Sequence, residues 1–119
     1  KGSEMEAIVF AYTHNCVLDN LNISSFKDGI YFRYTERTLL KNSEIHNIQM
    51  DGLFCRDVEN TTIQNCRFYN TGDHGAYIVE STYSSILDST FSNTSTGIYL
   101  KESAHISVRN NTITEQSTS

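Results

Sequence analysis

Gly29-Ile30-Tyr31-Phe32, Gly52-Leu53-Phe54-Cys55, Gly75-Ala76-Tyr77-Ile78 and Gly97-Ile98-Tyr99-Leu100 are four versions of one segment, recurring at intervals of 23, 23 and 22. A fifth version, Ala7-Ile8-Val9-Phe10, precedes the first by one more interval of 22. Side chains alternate between an aliphatic and an aromatic set, the period-two pattern of a β-strand. The rest of the period aligns outward from this segment. Leu18, Leu40, Ile63, Ile86 and Val108 form one apolar column, and Ile23, Ile45, Phe68, Phe91 and Ile113 form another. Between them runs a polar column of Asn20, Asn42, Asn65, Asp88 and Asn110. Each period reads as a strand, a turn, a second strand ending in an aliphatic residue, a tight Asn turn and a third short strand. Three strands of about four residues with their turns fill such a period and leave no room for a helix.

Recurrence at one fixed period is the sequence signature of a solenoid. A single coil buries nothing by itself, because its inward residues need the coils on either side. Stacked parallel strands place equivalent residues about 4.8 Å apart. The Asn column fits that geometry: Asn tolerates a left-handed backbone, and its amide both donates and accepts, so successive copies can bond as a ladder. Asp88 can still accept from its neighbours. Parallel crossovers favour the right hand. Periods of 22 and 23 are not multiples of six, as a left-handed hexapeptide coil would require, and no Leu-x-x-Leu-x-Leu frame is present. Asp28-Gly29 and Asp51-Gly52 could mark hairpin turns, but their recurrence in one context favours a coil corner. The expected fold is all-β, a right-handed parallel β-helix with coils near 7–28, 29–51, 52–74, 75–96 and 97–119. These form one domain over residues 1–119. Lys1-Gly2-Ser3-Glu4-Met5 reads as a junction rather than a signal or transit peptide, so the domain is expected to be a module of a longer solenoid.

Composition narrows the partners. A net charge of −5 does not suit nucleic acid, which calls for a basic surface. No apolar run approaches the ~20 residues needed to span a bilayer. Ser, Thr and Asn make up about a third of the chain, an excess over average usage. The three cysteines, Cys16, Cys55 and Cys66, are an odd number without a CxxC, and read as small, half-buried thiols. His14, His46, His74 and His105 fall at different places in the repeat and form no column. No metal site and no cofactor are expected; calcium is chemically admissible, but nothing in the sequence calls for it.

Val108-Arg109-Asn110-Asn111-Thr112-Ile113, Ile63-Gln64-Asn65-Cys66-Arg67-Phe68 and Gly97-Ile98-Tyr99-Leu100 resemble the parallel β-helix repeats of the pectate-lyase-like superfamily. Within it they are most similar to generic repeats of carbohydrate-binding and sugar-hydrolase domains and of the copper-site accessory β-helix proteins of nitrous oxide reductase. The resemblance extends over about residues 6–115. It implies that the strand after each glycine lines the face where relatives bind or cleave polysaccharide, and that the protein works outside the cell or at its surface.

On that face Val9, Tyr31, Phe54, Tyr77 and Tyr99 form an aromatic stripe, beside a largely basic column of Ala11, Arg33, Arg56, Val79 and Lys101. Rings can cover the apolar faces of pyranoses, and Arg or Lys can pair with uronate carboxylates. Tyr31, Phe54, Tyr77, Tyr99, Arg33, Arg56 and Lys101 are therefore the expected ligand contacts, with an acidic polysaccharide the better match. Neighbour stacking alone, or cover by another protein segment, would also account for such a stripe. The candidate catalytic cluster is Asp51, Asp73, His74, Tyr77 and Arg56. A His–Tyr pair with a cation could abstract the C5 proton of a uronate and neutralise its carboxylate. The resemblance implies Tyr, Asp and His on this face, although the Asp-Pro-His run of related epimerases is absent from this proline-free chain. Asp28 and Asp51 could serve as paired carboxylates for glycoside hydrolysis, or could hydrogen-bond corner amides.

Uniform turns leave no long loops to wall an active-site cleft. A polysaccharide-binding module is the leading expectation. A lyase, epimerase or hydrolase, and a structural or adhesin-like solenoid that self-associates through open coil ends, stand as alternatives. The register itself is testable: Asn65→Ala should cost about 1–3 kcal/mol by stranding the amides beside it. A urea or thermal unfolding curve unchanged by that substitution would contradict the ladder.

Overall fold

A computed structural model describes residues 6–114. The first coil contains β1 (Glu6–Ala11), β2 (Val17–Asp19) and β3 (Asn22–Ser24), and the second β4 (Asp28–Arg33), β5 (Leu39–Lys41) and β6 (Glu44–Ile48). The third has β7 (Leu53–Arg56) and β8 (Thr62–Gln64) and leads into β9 (Arg67–Val79), which runs on into the fourth. There β10 (Ser85–Leu87) precedes β11 (Thr90–Lys101), which enters the fifth with β12 (Ser107–Arg109) and β13 (Thr112–Thr114). No helix occurs among the described residues, as the short period requires.

Every strand pairing is parallel and joins coil to coil in the register the sequence predicts. Tyr31 faces Val9 and Phe54, and Tyr77 faces Phe54 and Tyr99. Leu40 faces Leu18 and Ile63, while Phe68 faces Ile45 and Phe91. The middle strands of the coils form one sheet of five; the remaining eight strands form the other. Their inward columns meet in a core that includes Ile30, Phe32, Leu40, Ile45, Leu53, Ile63, Phe68, Ile78, Ile86 and Phe91, all buried. Each such side chain contributes about 1.5–3 kcal/mol by leaving water. In the fifth coil the same columns lie open: Val108 is 39% and Ile113 51% exposed, against 0% for Ile86 and Phe91.

The corners carry more structure than the single Asn turn read from the sequence. Four columns of residues adopt positive φ: one begins at Tyr12, one at Asn15, one at Asn20 and one at Ser25. In the second to fourth coils each of these residues is followed by a buried one, such as Thr35, Thr38, Ser43 and Ile48 in the second. The left-handed residue reverses the chain and the next side chain points into the coil. Many of these inward residues are hydroxyls that bond the carbonyl two positions back, as Ser43 does to Lys41, Thr61 to Glu59 and Ser89 to Leu87. Their oxygens also accept from the preceding coil: Ser43 Oγ from the Leu21 amide, Ser81 Oγ from Val58 and Ser89 Oγ from Cys66. Corner backbone groups turned away from water are satisfied this way, which explains the excess of Ser and Thr.

Cys16 and Cys66 occupy such hydroxyl positions, and each thiol points at the carbonyl two residues back. Cys55 belongs to the inward strand column between Phe32 and Ile78. Burial pushes the Cys55 thiol far above its ordinary value, and the Cys66 thiol upward as well, with hydrogen bonds to the Ser43 and Gln64 backbone opposing the rise at Cys66. All three are free thiols.

The expected Asn column is observed as a run of left-handed corners from Asn20 to Asn110. Its side-chain ladder is more local: Asn65 donates to Asn42 at 2.7 Å, and Asn42 donates to Asp19, not Asn20, at 3.1 Å. A second ladder lies five residues further along each coil, where Asn70 donates to Asn47 at 3.1 Å and Asn93 to Asn70 at 2.6 Å.

None of the glycines among the described residues has positive φ; the column exists for lack of space. A Cβ on Gly75 would lie 2.6 Å from Phe91 Cδ2 and 2.7 Å from the Gly97 carbonyl oxygen. Gly75→Ala should destabilise the fold by about 1–3 kcal/mol through overpacking, measured as a lower urea midpoint. An unchanged midpoint would show that the coils are less tightly apposed at this edge.

Candidate functional site

The stripe residues Val9, Tyr31, Phe54, Tyr77 and Tyr99 share the outer face of β1, β4, β7, β9 and β11. Strand spacing forces their rings together. Tyr31 and Phe54 stack with centroids 4.9 Å apart at 15°, and Phe54 and Tyr77 at 5.0 Å and 6°. Each such contact adds about 0.5–1.5 kcal/mol to the coil–coil interface. It also has a cost for recognition: a ring stacked on both sides, like Phe54, offers a ligand its edge and not its face.

The regular stack ends at Tyr77 and Tyr99, which remain 5.0 Å apart but tilt to 46°. His74 causes the break. Its ring lies parallel to Tyr99 at 5.2 Å and tilted against Tyr77 at 4.7 Å. The shortened last interval between glycines is the sequence trace of this feature. Thr71 pairs with Thr94 and His74 with Thr96, so Gly72 and Asp73 together oppose Ser95 alone. Bulges of this kind re-aim side chains and are common beside functional sites. Here the bulge places Asp73 next to His74.

His74 Nδ1 is 2.8 Å from Asp51 Oδ1 and 3.5 Å from Asp73 Oδ1. Asp51 Oδ1 also accepts the backbone N–H of His74 at 3.1 Å, and Asp28 Oδ1 accepts that of Asp51 at 3.4 Å. The stacked acids therefore do bond the corner amides of the following coil. Asp51 is buried, whereas the Asp73 side chain is 44% and the His74 side chain 17% exposed. With Nδ1 engaged by Asp51, Nε2 is the imidazole nitrogen left for a ligand. Asp51, Asp73 and His74 each offer a donor atom within 4.8 Å of the others, so this corner is also where a metal ion would find ligands, which the scattered histidines did not foretell.

The cluster read from the sequence is thus assembled in four of its five members: Asp51, Asp73, His74 and Tyr77. Arg56 lies at the opposite end of β7, about 16 Å along the strand from Asp51, and is engaged by Glu80 at 3.5 Å and Asp57 at 4.0 Å. Tyr99, expected only as a ligand contact, packs on His74; the registry of His74 with Thr96, two residues before Ile98, is the signal that links them. Arg33 lies over the Tyr34 ring at 5.1 Å. Val79, in line between Arg56 and Lys101, is buried. The basic column is therefore interrupted and partly neutralised.

Other histidines belong to separate surroundings. His46 stacks on Tyr69 and bonds Asn22, while His105 stacks on Tyr83. His14 sits in the bridge column with Glu36, one position out of step with His105.

A chain of stacked parallel coils with its distinctive residues on one outer strand face defines a parallel β-helix protein. The sequence matches the family described as "Right handed beta helix region" over residues 2–119, and the chain belongs to it. No curated protein matches the chain. Among solved structures it is similar to a double mutant of the periplasmic alginate epimerase AlgG, with a TM-score of 0.77 at 12% identity, covering 94% of this chain and 36% of that one. Another crystal structure of the periplasmic alginate epimerase AlgG gives a TM-score of 0.59 at 9% identity, covering 94% of this chain and 40% of that one. At such identity the likeness is one of fold, and the chain spans well under half the length of these structures.

Asp51→Ala would strand the His74 amide and release its ring. The expected loss is about 1–3 kcal/mol of stability, together with a change in the His74 tautomer seen in imidazole nitrogen shifts. Unchanged shifts would show that Asp51 does not orient the ring.

Proposed function

We propose that this chain is a polysaccharide-binding β-helix module working outside the cytoplasm, with its ligand surface on the outer face of β4, β7, β9 and β11. The observation that carries the reading is the break in the ring stack at His74. Along most of the face the rings close on one another. At the fourth and fifth coils Tyr77 stays parallel to Phe54 while Tyr99 tilts out of the stack, and His74, parallel to Tyr99, adds a polar edge beside the two tyrosines. An apolar ring surface beside a few fixed polar groups is what a sugar needs, one part covering C–H faces and the other bonding hydroxyls. The similar structures are of a periplasmic alginate epimerase, which supports both the polysaccharide and the compartment.

A second reading, proton abstraction from a sugar, is favoured by the His74–Asp51 bond, since a carboxylate at Nδ1 leaves Nε2 to act as a base. Elimination or epimerisation of a uronate also needs a cation on its carboxylate, and the cation expected for that role, Arg56, is about 16 Å along the strand and held by two acids. Binding is therefore the better supported function.

Tyr99 is 41% exposed and lies outside the core. Tyr99→Ala should weaken binding to a responsive glycan about tenfold, equivalent to about 1.4 kcal/mol, in calorimetric titration of a panel of neutral, acidic and amino-bearing oligosaccharides. No binding across the panel, or binding indifferent to Tyr99, would overturn the reading.

A further inference from the structure

The bulge that brings Asp73 beside His74 borders a groove on its other flank. Gly72 and Asp73 oppose Ser95 alone, and on the side of Gly72 lies a groove of about 320 Å³ whose lining includes Gln49, Asn70, Thr71, Gly72, Asn93 and Ser95. Thr71 gives the groove its chemical character. It is only 4% exposed, and its Oγ1 has no hydrogen-bond partner. Corner hydroxyls elsewhere are satisfied within the protein, as Ser43, Thr61 and Ser89 are by the carbonyl two residues back. A buried hydroxyl left alone is destabilising, and a ligand hydroxyl entering the groove would relieve that penalty.

The neighbouring groups are uncharged and held in place. Asn70 donates to Asn47 and accepts from Asn93, so the ladder fixes these amides and leaves Asn93 Oδ1 for another donor. Ser95 Oγ donates to the Gly72 carbonyl at 3.0 Å and can still accept. Residue 72 must be glycine, because a Cβ there would run into the Gln49 carbonyl oxygen. No charged side chain lines the groove. In the adjoining corner column Lys27 and Asp73, linked through Met50 by backbone hydrogen bonds, carry opposite charges and favour neither sign of ligand.

We infer that the groove at Thr71 is a second subsite of the polysaccharide site, and that the sugar residue it takes is neutral, recognised through its hydroxyls rather than through charge. The inference rests on the polysaccharide-binding reading and names its ligand class. Gly72 is two residues, about 7 Å along the strand, from His74, so a glycan seated on Tyr99 and His74 continues into the groove. Fixed amides and hydroxyls suit a pyranose, whose hydroxyls both donate and accept. A uronate carboxylate would leave water there without a lining cation to meet it.

The test is a calorimetric comparison of cellohexaose and mannohexaose, both neutral, with a galacturonate hexamer. One of the neutral hexamers should bind at least tenfold more tightly than the galacturonate. Thr71→Val keeps the side-chain shape, and Ile48 already fills the same column one coil earlier. It should weaken the neutral hexamer about fivefold while leaving the melting temperature unchanged or raised, since no hydrogen bond within the protein is lost. Thr35→Val, which removes another buried hydroxyl without a partner at the opposite end of the face, should leave binding unchanged. Tighter binding of the galacturonate would overturn the ligand class. A lower melting temperature for Thr71→Val would show that its hydroxyl serves the fold, and so overturn the subsite. Binding that falls with Tyr99→Ala but not with Thr71→Val, or falls equally with Thr35→Val, would also overturn the subsite and leave the polysaccharide reading in place. Failure of all three hexamers would remove both.

Discussion

The vertical registry of equivalent residues is the constraint on which the rest of the structure depends. Parallel pairing at one strand spacing sets Ile63 on Leu40 and Ile86 on Ile63, and it does the same for every polar or aromatic position. An inward apolar residue is buried only because its counterparts lie above and below it. The contrast between Ile86 and Val108, one enclosed and one open, shows the dependence directly. The close apposition that buries the core also excludes a Cβ from the glycine edge and presses outward rings into a stack.

Each corner solves a local problem created by that registry. A chain that must turn several times within every short coil needs left-handed backbone repeatedly, and Asn, Asp and exposed polar or aromatic residues supply it at moderate cost. The following side chain is carried inside, where a hydroxyl can bond both its own coil and the previous one. Cys66 shows how tolerant the position is, since its thiol takes the place of a serine hydroxyl between Ser43 and Ser89. The cysteine positions are thus accounted for by packing.

The fold was legible because one period governs the whole sequence. Glycine spacing, the two apolar columns and the Asn column all predict the pairings that are found. What escaped were features that require knowing which residues turn. Tyr34, Arg37 and Glu80 adopt positive φ without any compositional mark, and the second Asn ladder is visible only as an echo of the first, a short step further along each coil. At the candidate site, Asp51, Asp73, His74 and Tyr77 were recognisable by type and column. Arg56 was not separable from them, because sequence adjacency to the stripe does not reveal that a strand's length lies between its two ends. The one-position change in period was visible in the numbers, but its consequence, a bulge that turns Asp73 toward His74 and breaks the ring stack, depends on three-dimensional pairing. Regular repeats explain stability; the point where the repeat fails is where function is best sought.

Solution NMR contacts between aromatic rings test the central claim most directly. An in-register parallel stack predicts ring-to-ring cross-peaks from Phe54 to both Tyr31 and Tyr77, and from Phe68 to Phe91, with backbone contacts linking Ile63 to Leu40 and Ile86. Cross-peaks that instead join neighbouring strands of one coil in antiparallel fashion, or their absence between Phe54 and both tyrosines, would contradict the registry and with it the placement of the His74 corner.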